Sequence, residues 1–286
     1  MQASEAARAM AVAISIAASL GLAADDAIVL HNSNKLTLRL LPCDALARVQ
    51  PATPVARQTA QFELELAQWL AASGGPVAAL ERRVDPRVYE RDGFVVTLWT
   101  YYEPAAPGEA PPADYARALE RLHAGMRTLA IPTPHFMDRV EEAQQLVASR
   151  DLTPALASAD RELLGDTLGS LRRVIGDSGA AEQILHGEPH PGNVLTTKHG
   201  LLFIDLETCC RGPVEFDLAH APEAVSAHYP GASHDLLRAC RILMLAMITS
   251  WRWDRGDQFP NGRQLGIEWL SQLRAALDRK GRDTPG

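Results

Sequence analysis

One short segment, residues 186–207, constrains this chain of 286 residues more than any other. It begins with a loop, HGEPHPGN over residues 186–193, whose glycines and prolines favour tight turns. An apolar run at residues 201–204 follows and leads directly into Asp205. A turn-forming stretch before that run predicts a short β-hairpin, which would return Asp205 to the side of Asn193.

Three oxygen-bearing side chains of this segment have the chemistry of a phosphoryl-transfer site. Such a site needs one carboxylate to orient the attacking hydroxyl and further oxygen ligands to hold magnesium against the phosphates. Glu188 is placed for the first task, and Asn193 and Asp205 are placed for the second. Glu207, two residues beyond Asp205, is a further metal-ligand candidate that faces either the ion or the phosphates.

The same segment resembles the aminoglycoside phosphotransferase family, which are small-molecule kinases related in fold to choline kinases and more distantly to protein kinases. The family's pattern is a His-Gly-Asp loop followed by His and Asn, a strand ending in Ile-Asp, and Asp-Leu-Ala after Gly-Pro. The last element is GPVEFDLA here, at residues 212–219. The resemblance implies ATP or GTP as phosphoryl donor, Mg²⁺ as cofactor, and a hydroxyl group of a small molecule as acceptor.

One element departs from the family's pattern, because Glu188 stands where the family has its catalytic Asp. Glu is longer by one methylene, about 1.5 Å of chain, and misplacing a catalytic group by about 1 Å can cost on the order of a hundredfold in rate. Asn193 and Asp205 are both retained, so we favour an active enzyme whose loop is adjusted to the longer side chain. The alternative is a pseudokinase that binds a nucleotide or metabolite with little or no turnover.

The fold class expected from the resemblance and from the order of elements is α+β, a two-lobed protein-kinase-like fold. Residues 1–101 would form a small nucleotide-binding lobe with an antiparallel sheet and one main helix, and residues 102–286 a hinge and a larger, mostly helical lobe with the catalytic and metal loops. Strands are predicted at 27–31, 36–41, 45–49 and 94–101, and helices at 56–72, 114–126, 138–149, 155–175, 216–227, 236–252 and 263–279. A proline-rich connector covers residues 104–112, and we expect disorder only at residues 281–286.

By the resemblance, Arg48 stands where the family usually has a Lys that reaches the nucleotide phosphates. Glu63 in the following helix stands where the ion-pair partner of that Lys would be, and Glu65 is a rival because both flank the apolar face. Arg presents a rigid fork rather than a compact ammonium, so the exchange changes the contact geometry. A surface Arg and a solvated helical Glu are the alternatives.

Three more residues are candidates for nucleotide contacts. Ser33 lies in the turn HNSN at residues 31–34, which contains no glycine but offers backbone amides and a hydroxyl to phosphate oxygens. Trp99 and Tyr101 would lie at the hinge against an adenine ring, or they are ordinary core residues.

Composition sets the remaining limits. A net charge of −7 argues against a nucleic-acid partner and mildly favours a cationic acceptor of the aminoglycoside or amino-alcohol type. The four cysteines show neither disulfide nor zinc spacing and predict a reduced, cytoplasmic protein. The apolar run at residues 10–24 has helical spacing and predicts a packed helix rather than an export signal or a membrane span. The oligomeric state is beyond the sequence.

Overall fold

The computed structural model describes residues 1–105 and 110–282, with side chains through residue 279. The described residues form two compact units. The first contains Met1–Leu129 and Gly192–Thr208, and the second contains Ala130–Pro191 and the chain from Cys209 onward. Part of the proline-rich connector, including Pro107, lies outside the described residues.

The first unit is built on an antiparallel sheet of five strands. Their order in the sheet is β1-β2-β3-β5-β4, and every neighbouring pair is antiparallel. The strands are β1 Ala24–Asn32, β2 Leu36–Pro42, β3 Ala45–Pro51, β4 Tyr89–Arg91 and β5 Phe94–Thr100. All four predicted strands are confirmed, and β4 was not predicted.

One face of this sheet packs against helix α1, Ala3–Ser19. Along β2, every second residue is fully buried, as period-two alternation requires of a strand with one face in a core. The α1 side chains that meet this face recur at helical spacing, as in Val12 and Ile16, which are 6% and 3% exposed. The predicted helix near the N-terminus is confirmed, although it begins and ends earlier than residues 10–24.

Helix α2, Pro54–Ala72, begins where the sequence chemistry favours a helix start. The Thr53 hydroxyl accepts a hydrogen bond from Ala56 N at 3.0 Å, and proline occupies the first helical position, where its missing N–H costs nothing. Helix α3, Pro112–Met126, follows later in the same unit.

The predicted hairpin is present in the first unit as a separate two-stranded sheet. Its strands are β7 Val194–Thr197 and β8 Gly200–Phe203, named in chain order after β6 of the second unit. Phe203 is fully buried, and its ring meets that of Tyr115 edge to face at a centroid distance of 5.9 Å. This packing fixes the hairpin, and with it the residues at both of its ends.

The second unit is mostly helical and carries one small antiparallel sheet of β6 and β9. Its main elements are α4 Phe136–Ala148, α5 Ser158–Gly176, β6 Glu182–Leu185, β9 Cys210–Pro213, α6 Val214–His220, α7 His234–Trp251 and α8 Gly262–Arg282. No described helix is both long enough and apolar enough to cross a bilayer.

Three details of the second unit differ from the sequence prediction. The predicted helix at residues 216–227 is interrupted: α6 ends at His220, and a 3-10 helix covers Glu223–His228. Pro222 explains the break, because it has no N–H and its ring clashes with a carbonyl one turn earlier. Strands β6 and β9 were not predicted, and α8 continues to Arg282, so that residues 281–282 are helical rather than disordered.

Candidate active site

The β7–β8 hairpin brings Asn193 and Asp205 to adjacent positions in the first unit. Ile204 N donates a hydrogen bond of 3.0 Å to the carbonyl oxygen of Asn193, just before the first paired residues of the hairpin. Asp205 has φ +65°, in the left-handed region that Asp tolerates better than most residues. The chain therefore turns sharply at Asp205 and continues into a 3-10 turn, Leu206–Thr208, which carries Glu207.

Asp205 belongs to a cluster of three carboxylates and two cations. Glu63, from the buried face of α2, is 1% exposed and contacts Nη1 of Arg48 from β3. Nη2 of Arg48 lies 2.6 Å from Oδ1 of Asp205. The sequence-predicted partners Arg48 and Glu63 are thus paired, whereas Glu65 is exposed and accepts only a local bond from Gln61 among its described contacts.

Lys35 is the member of this cluster that the sequence analysis missed. It immediately precedes β2 and is only 7% exposed. Its Nζ contacts Glu207, lies 3.4 Å from Oε2 of Glu63, and lies 3.8 Å from Oδ1 of Asp205. A lysine at the end of the predicted phosphate-covering turn was the signal available in the sequence, but nothing local indicated that it would be buried among carboxylates.

The electrostatics of the cluster follow from burial and close pairing. Burial alone would lower the pKa of Arg48, but the carboxylates of Glu63 and Asp205 outweigh it, so the pKa lies above its ordinary value. Burial raises the pKa of Glu207 even though Lys35 opposes the shift. Two cations face three carboxylates, which leaves the cluster with one net negative charge.

The carboxylates of the cluster are suited to a metal ion. One oxygen each from Glu63, Asp205 and Glu207 lies within 4.8 Å of the others. Carboxylate oxygens are the ligands that magnesium and calcium prefer. Asn193 is half-buried beside the hairpin, and its role as a ligand stays a prediction.

The other predicted nucleotide contacts have ordinary surroundings. Ser33 is exposed, and its backbone N–H donates to the carbonyl of Lys35 at 3.2 Å. Trp99 is 6% exposed, and its indole N–H donates to the Thr97 hydroxyl at 2.9 Å. The ring of Tyr101 lies 4.1 Å from the guanidinium carbon of Arg39. A nucleotide role for Ser33, Trp99 and Tyr101 stays a prediction.

In the second unit, the loop that carries Glu188 is tied to helix α6. Asp217 is fully buried, and its two carboxylate oxygens accept hydrogen bonds of 2.8 Å from the backbone N–H groups of His186 and Gly187. Gly187 has φ +91°, which a glycine adopts without strain. Two consecutive backbone N–H groups therefore hold the loop at its sharp turn, directly before Glu188.

Glu188 is held by an arginine from α4. Its Oε1 contacts Nη2 of Arg139, and the Arg139 guanidinium lies 5.1 Å from the ring centroid of Trp251. Burial alone would raise the pKa of Glu188, but Arg139 outweighs it, so the pKa lies below its usual value. Glu188 is therefore a carboxylate at neutral pH.

His220 completes the surroundings of Glu188. Burial lowers the pKa of His220 to about 4, so that the ring is neutral near pH 7. Within the described part of the chain, its Nε2 atom is buried without a hydrogen-bond partner. Arg139 is thus the largest cause that lowers the pKa of Glu188, and the nearby rings of His220 and His190 act in the same direction with a smaller effect.

Comparison with known proteins identifies the family to which this chain is related. The model of the phosphotransferase enzyme family matches residues 31–240. That range contains every residue of the carboxylate cluster and the whole Glu188 loop. A search of curated protein sequences gave no significant match.

Solved structures with the same fold include kinases of small molecules. A choline kinase from Streptococcus pneumoniae, LicA, is 17% identical with a TM-score of 0.68, over 94% of this chain and 98% of its own. A microcompartment-associated aminopropanol kinase is 16% identical with a TM-score of 0.73, over 95% and 98%. The amicoumacin kinase hAmiN, solved with AMP-PNP, Ca²⁺ and Ami, is 10% identical with a TM-score of 0.69, over 96% of both chains.

The TM-scores to these structures show the fold, and the family match shows the relationship. It spans well over half of the sequence, and its range includes the HGEPHPGN loop and the GPVEFDLA element that carry the resemblance. The chain therefore belongs to the phosphotransferase enzyme family of small-molecule kinases.

Proposed function

We propose that this protein transfers the terminal phosphoryl group of ATP, or of GTP, to a hydroxyl group of a small cationic molecule. The observation that supports this most strongly is the carboxylate cluster of the first unit, where three acidic side chains converge on one buried and one partly buried cation. Phosphoryl transfer requires mainly positioning and charge stabilisation, and a cluster of this kind supplies both for a nucleotide and its metal.

Asp205 and Glu207 would hold a magnesium ion, with Asn193 as a further ligand. Their oxygens suit a hard cation and are partly exposed, whereas Glu63 is 1% exposed and also accepts a hydrogen bond from Leu206 N. When bound, magnesium neutralises charge on the phosphates. The protein's own part is to hold the ligands, which the buried pairs around Glu63 and the fixed hairpin make possible.

Glu188 would orient the attacking hydroxyl of the acceptor. Because its pKa is lowered, it is ionised and accepts a hydrogen bond from the hydroxyl, but it is a weak base. A loose transition state asks for orientation more than for early proton removal, so an ionised and anchored carboxylate suits the task. The anchoring by Arg139 sets the position of the longer Glu side chain.

A hydroxylated amine is the acceptor class that we propose. Choline and aminopropanol, the substrates named for two proteins of the same fold, both combine a hydroxyl with a cationic nitrogen. The net charge of −7 is compatible with such a ligand. Aminoglycoside-type antibiotics belong to the same chemical class, and a cytoplasmic location is part of this proposal.

The second candidate is a pseudokinase that binds nucleotide without turnover. Two observations favour it: Glu188 replaces the family's catalytic Asp, and its carboxylate is occupied by Arg139. Occupation of this kind would have to be broken or shared before an acceptor hydroxyl could bind to the same oxygen.

Nucleotide consumption by the purified protein distinguishes the two candidates. Choline, an aminopropanol and an aminoglycoside serve as acceptors, and mass spectrometry detects the phosphorylated product. We expect Glu188→Gln to lower the rate by about a hundredfold to ten-thousandfold and Asp205→Asn by about a hundredfold to a thousandfold. Asp92→Asn is the matched control, because Asp92 is exposed and also has a positive φ, +50°.

Each result has a definite meaning. Turnover that is lost in both variants and kept in Asp92→Asn supports the kinase. Thermal stabilisation by nucleotide without turnover on any acceptor supports the pseudokinase. Turnover that survives Asp205→Asn rules out the metal assignment. If the loop is adjusted to the longer Glu side chain, Glu188→Asp should slow the reaction even though it restores the family's residue.

A further inference from the structure

The ammonium group of Lys35 is the second cation of the carboxylate cluster. Lys35 immediately precedes β2, and Arg48 lies on the adjacent strand β3, opposite Thr37. The two cations therefore enter the same cluster from neighbouring parts of the sheet. Both contact Glu63 and Asp205, but only Lys35 also contacts Glu207.

Arg48 is fixed by its contacts. One end of its guanidinium contacts Glu63, and the other lies 2.6 Å from Asp205. Glu63 is itself held by the backbone, since its Oε1 accepts a hydrogen bond of 3.2 Å from Leu206 N. A planar fork with both ends engaged cannot turn toward a phosphate without breaking two charge-assisted contacts.

Lys35 differs from Arg48 in its closest partner and in its stem. Its closest partner is Glu207, whose side chain is 24% exposed, whereas Glu63, which holds Arg48, is 2% exposed. Because Glu207 is partly exposed, a metal ion could replace the ammonium as its partner without entering a buried site. A flexible four-carbon stem and three donors then allow the ammonium to follow a phosphate without displacing Arg48.

We propose that Lys35, rather than Arg48, is the residue that binds the phosphates of the nucleotide, and that Arg48 is a positioning residue for Glu63 and Asp205. This inference rests on the proposed nucleotide-dependent function. A divalent cation held by Asp205 and Glu207 would change the net charge of the cluster from one negative to one positive. That change would favour contact of the Lys35 ammonium with an anionic ligand over contact with its carboxylate partners.

The use of lysine at this position is unusual for the chain. Of its 28 Lys and Arg residues only three are lysines, namely Lys35, Lys198 and Lys280. Lys198 is exposed in the β7–β8 turn, so Lys35 is the one whose described surroundings are buried and acidic. A compact ammonium is used where a mobile point charge suits the cluster, and Arg is used almost everywhere else.

Calorimetric titration with adenosine and with ATP in the presence of Mg²⁺ tests the inference, with guanosine and GTP as a second pair. The gain in affinity from nucleoside to triphosphate measures the phosphate contacts. We expect Lys35→Met to reduce this gain by about tenfold to a hundredfold while the affinity for the nucleoside is unchanged. Arg48→Lys keeps a cation at this position but loses the fork that holds Glu63 and Asp205, so it should reduce the gain less than Lys35→Met does. Lys198→Met should leave the gain unchanged, because Lys198 is exposed and outside the cluster.

The outcomes separate this inference from the proposed function. If the wild-type protein binds the triphosphate no better than the nucleoside, the proposed function and the inference both fail. If the wild-type protein shows the gain and Lys35→Met retains it, the inference alone is wrong. A gain that is lost in Arg48→Lys and kept in Lys35→Met would assign the phosphates to Arg48.

A second measurement uses the wild-type protein and so avoids any folding defect of Lys35→Met. An acyl-phosphate derivative of ATP transfers its acyl group to a lysine amine near the phosphates and releases the nucleotide. With only three lysines, peptide mass spectrometry identifies the acylated residue directly. We expect acylation of Lys35 that excess ATP suppresses. Acylation confined to Lys198 or Lys280 would overturn the inference.

Discussion

Removal of Arg139 tests whether the Glu188 loop depends on its ion pair. The variant Arg139→Met keeps most of the apolar stem but removes the guanidinium, which faces Glu188 and lies 5.1 Å from the ring centroid of Trp251. A double-mutant cycle with Glu188→Gln isolates the pairwise energy from the lost contact with Trp251. The quantity of interest is therefore the coupling energy and not the effect of either single substitution.

The expected coupling energy follows from the burial of the pair. Its side chains are 19% and 23% exposed, which lies between a surface pair and a fully buried one. Surface pairs contribute about 0–1 kcal/mol, and breaking a buried pair costs about 3–5 kcal/mol. We expect a coupling energy of about 1–3 kcal/mol near pH 7.

The pH dependence of this coupling has a definite sign. The folded-state pKa of Glu188 is lowered, so the unfolded state binds the proton more readily. The stabilisation is fully present above the unfolded pKa, about 4.3 for Glu, and it is lost as the pH falls through the folded-state pKa. The coupling energy should therefore be constant from about pH 6 to pH 8 and should decline below about pH 4.

Urea denaturation of the four proteins of the cycle, followed by tryptophan fluorescence at several pH values, measures the coupling. The pair Arg172–Glu141 of the same unit is the matched control, because its nitrogen and oxygen are 3.1 Å apart and its side chains are 39% and 51% exposed. Its coupling should be about 0.5 kcal/mol or less. If the Arg139–Glu188 coupling does not exceed that of the control, or does not decline with acidification, Arg139 is not the group that keeps Glu188 ionised.

Two further predictions concern packing and thiol chemistry. Gly212→Ala should destabilise the protein by about 1–3 kcal/mol in thermal or urea unfolding. The reason is that the added Cβ would lie 2.7 Å from the ring of Phe136. As the control, Gly165→Ala in α5 should be neutral or stabilising, because an added Cβ there would have no atom within 4 Å. In native protein, a disulfide reagent should react faster with the partly buried Cys43 than with the buried Cys240, whose pKa is raised by burial, and Cys43→Ser should remove the fast phase. Equal destabilisation by the two alanines, or a fast phase that survives Cys43→Ser, would contradict these expectations.

Much of the fold could be predicted because its signals are local. Strands β2 and β3 alternate in burial over all but the last of their residues, and helix α2 has a capping Thr and a proline at its start. The short strands β4, β6 and β9 were not predicted, because a few residues carry too little of this local signal. In β6, Glu182–Leu185, four residues cannot show an alternation that distinguishes a strand from a loop.

The candidate site could be predicted only in part, for a related reason. The chemistry of Glu188, Asn193 and Asp205 lies in one continuous segment, so residue type and spacing were enough to propose it. Periodicity could not separate Glu63 from Glu65, because both flank the same helix face. That distinction depends on Arg48 and on the backbone at residue 206, which are brought to α2 only by tertiary structure.

The two departures from the family pattern have the same physical explanation. In each unit a second charged residue accompanies the unusual one: Arg139 contacts Glu188, and Lys35 shares the partners Glu63 and Asp205 with Arg48. Pairing of this kind removes the cost of an unpaired buried charge, so it stabilises the fold whether or not the site turns over a substrate. In this protein the carboxylates of both units are paired. The two departures are therefore compatible with both proposed candidates, the kinase and the pseudokinase, and nucleotide consumption distinguishes them.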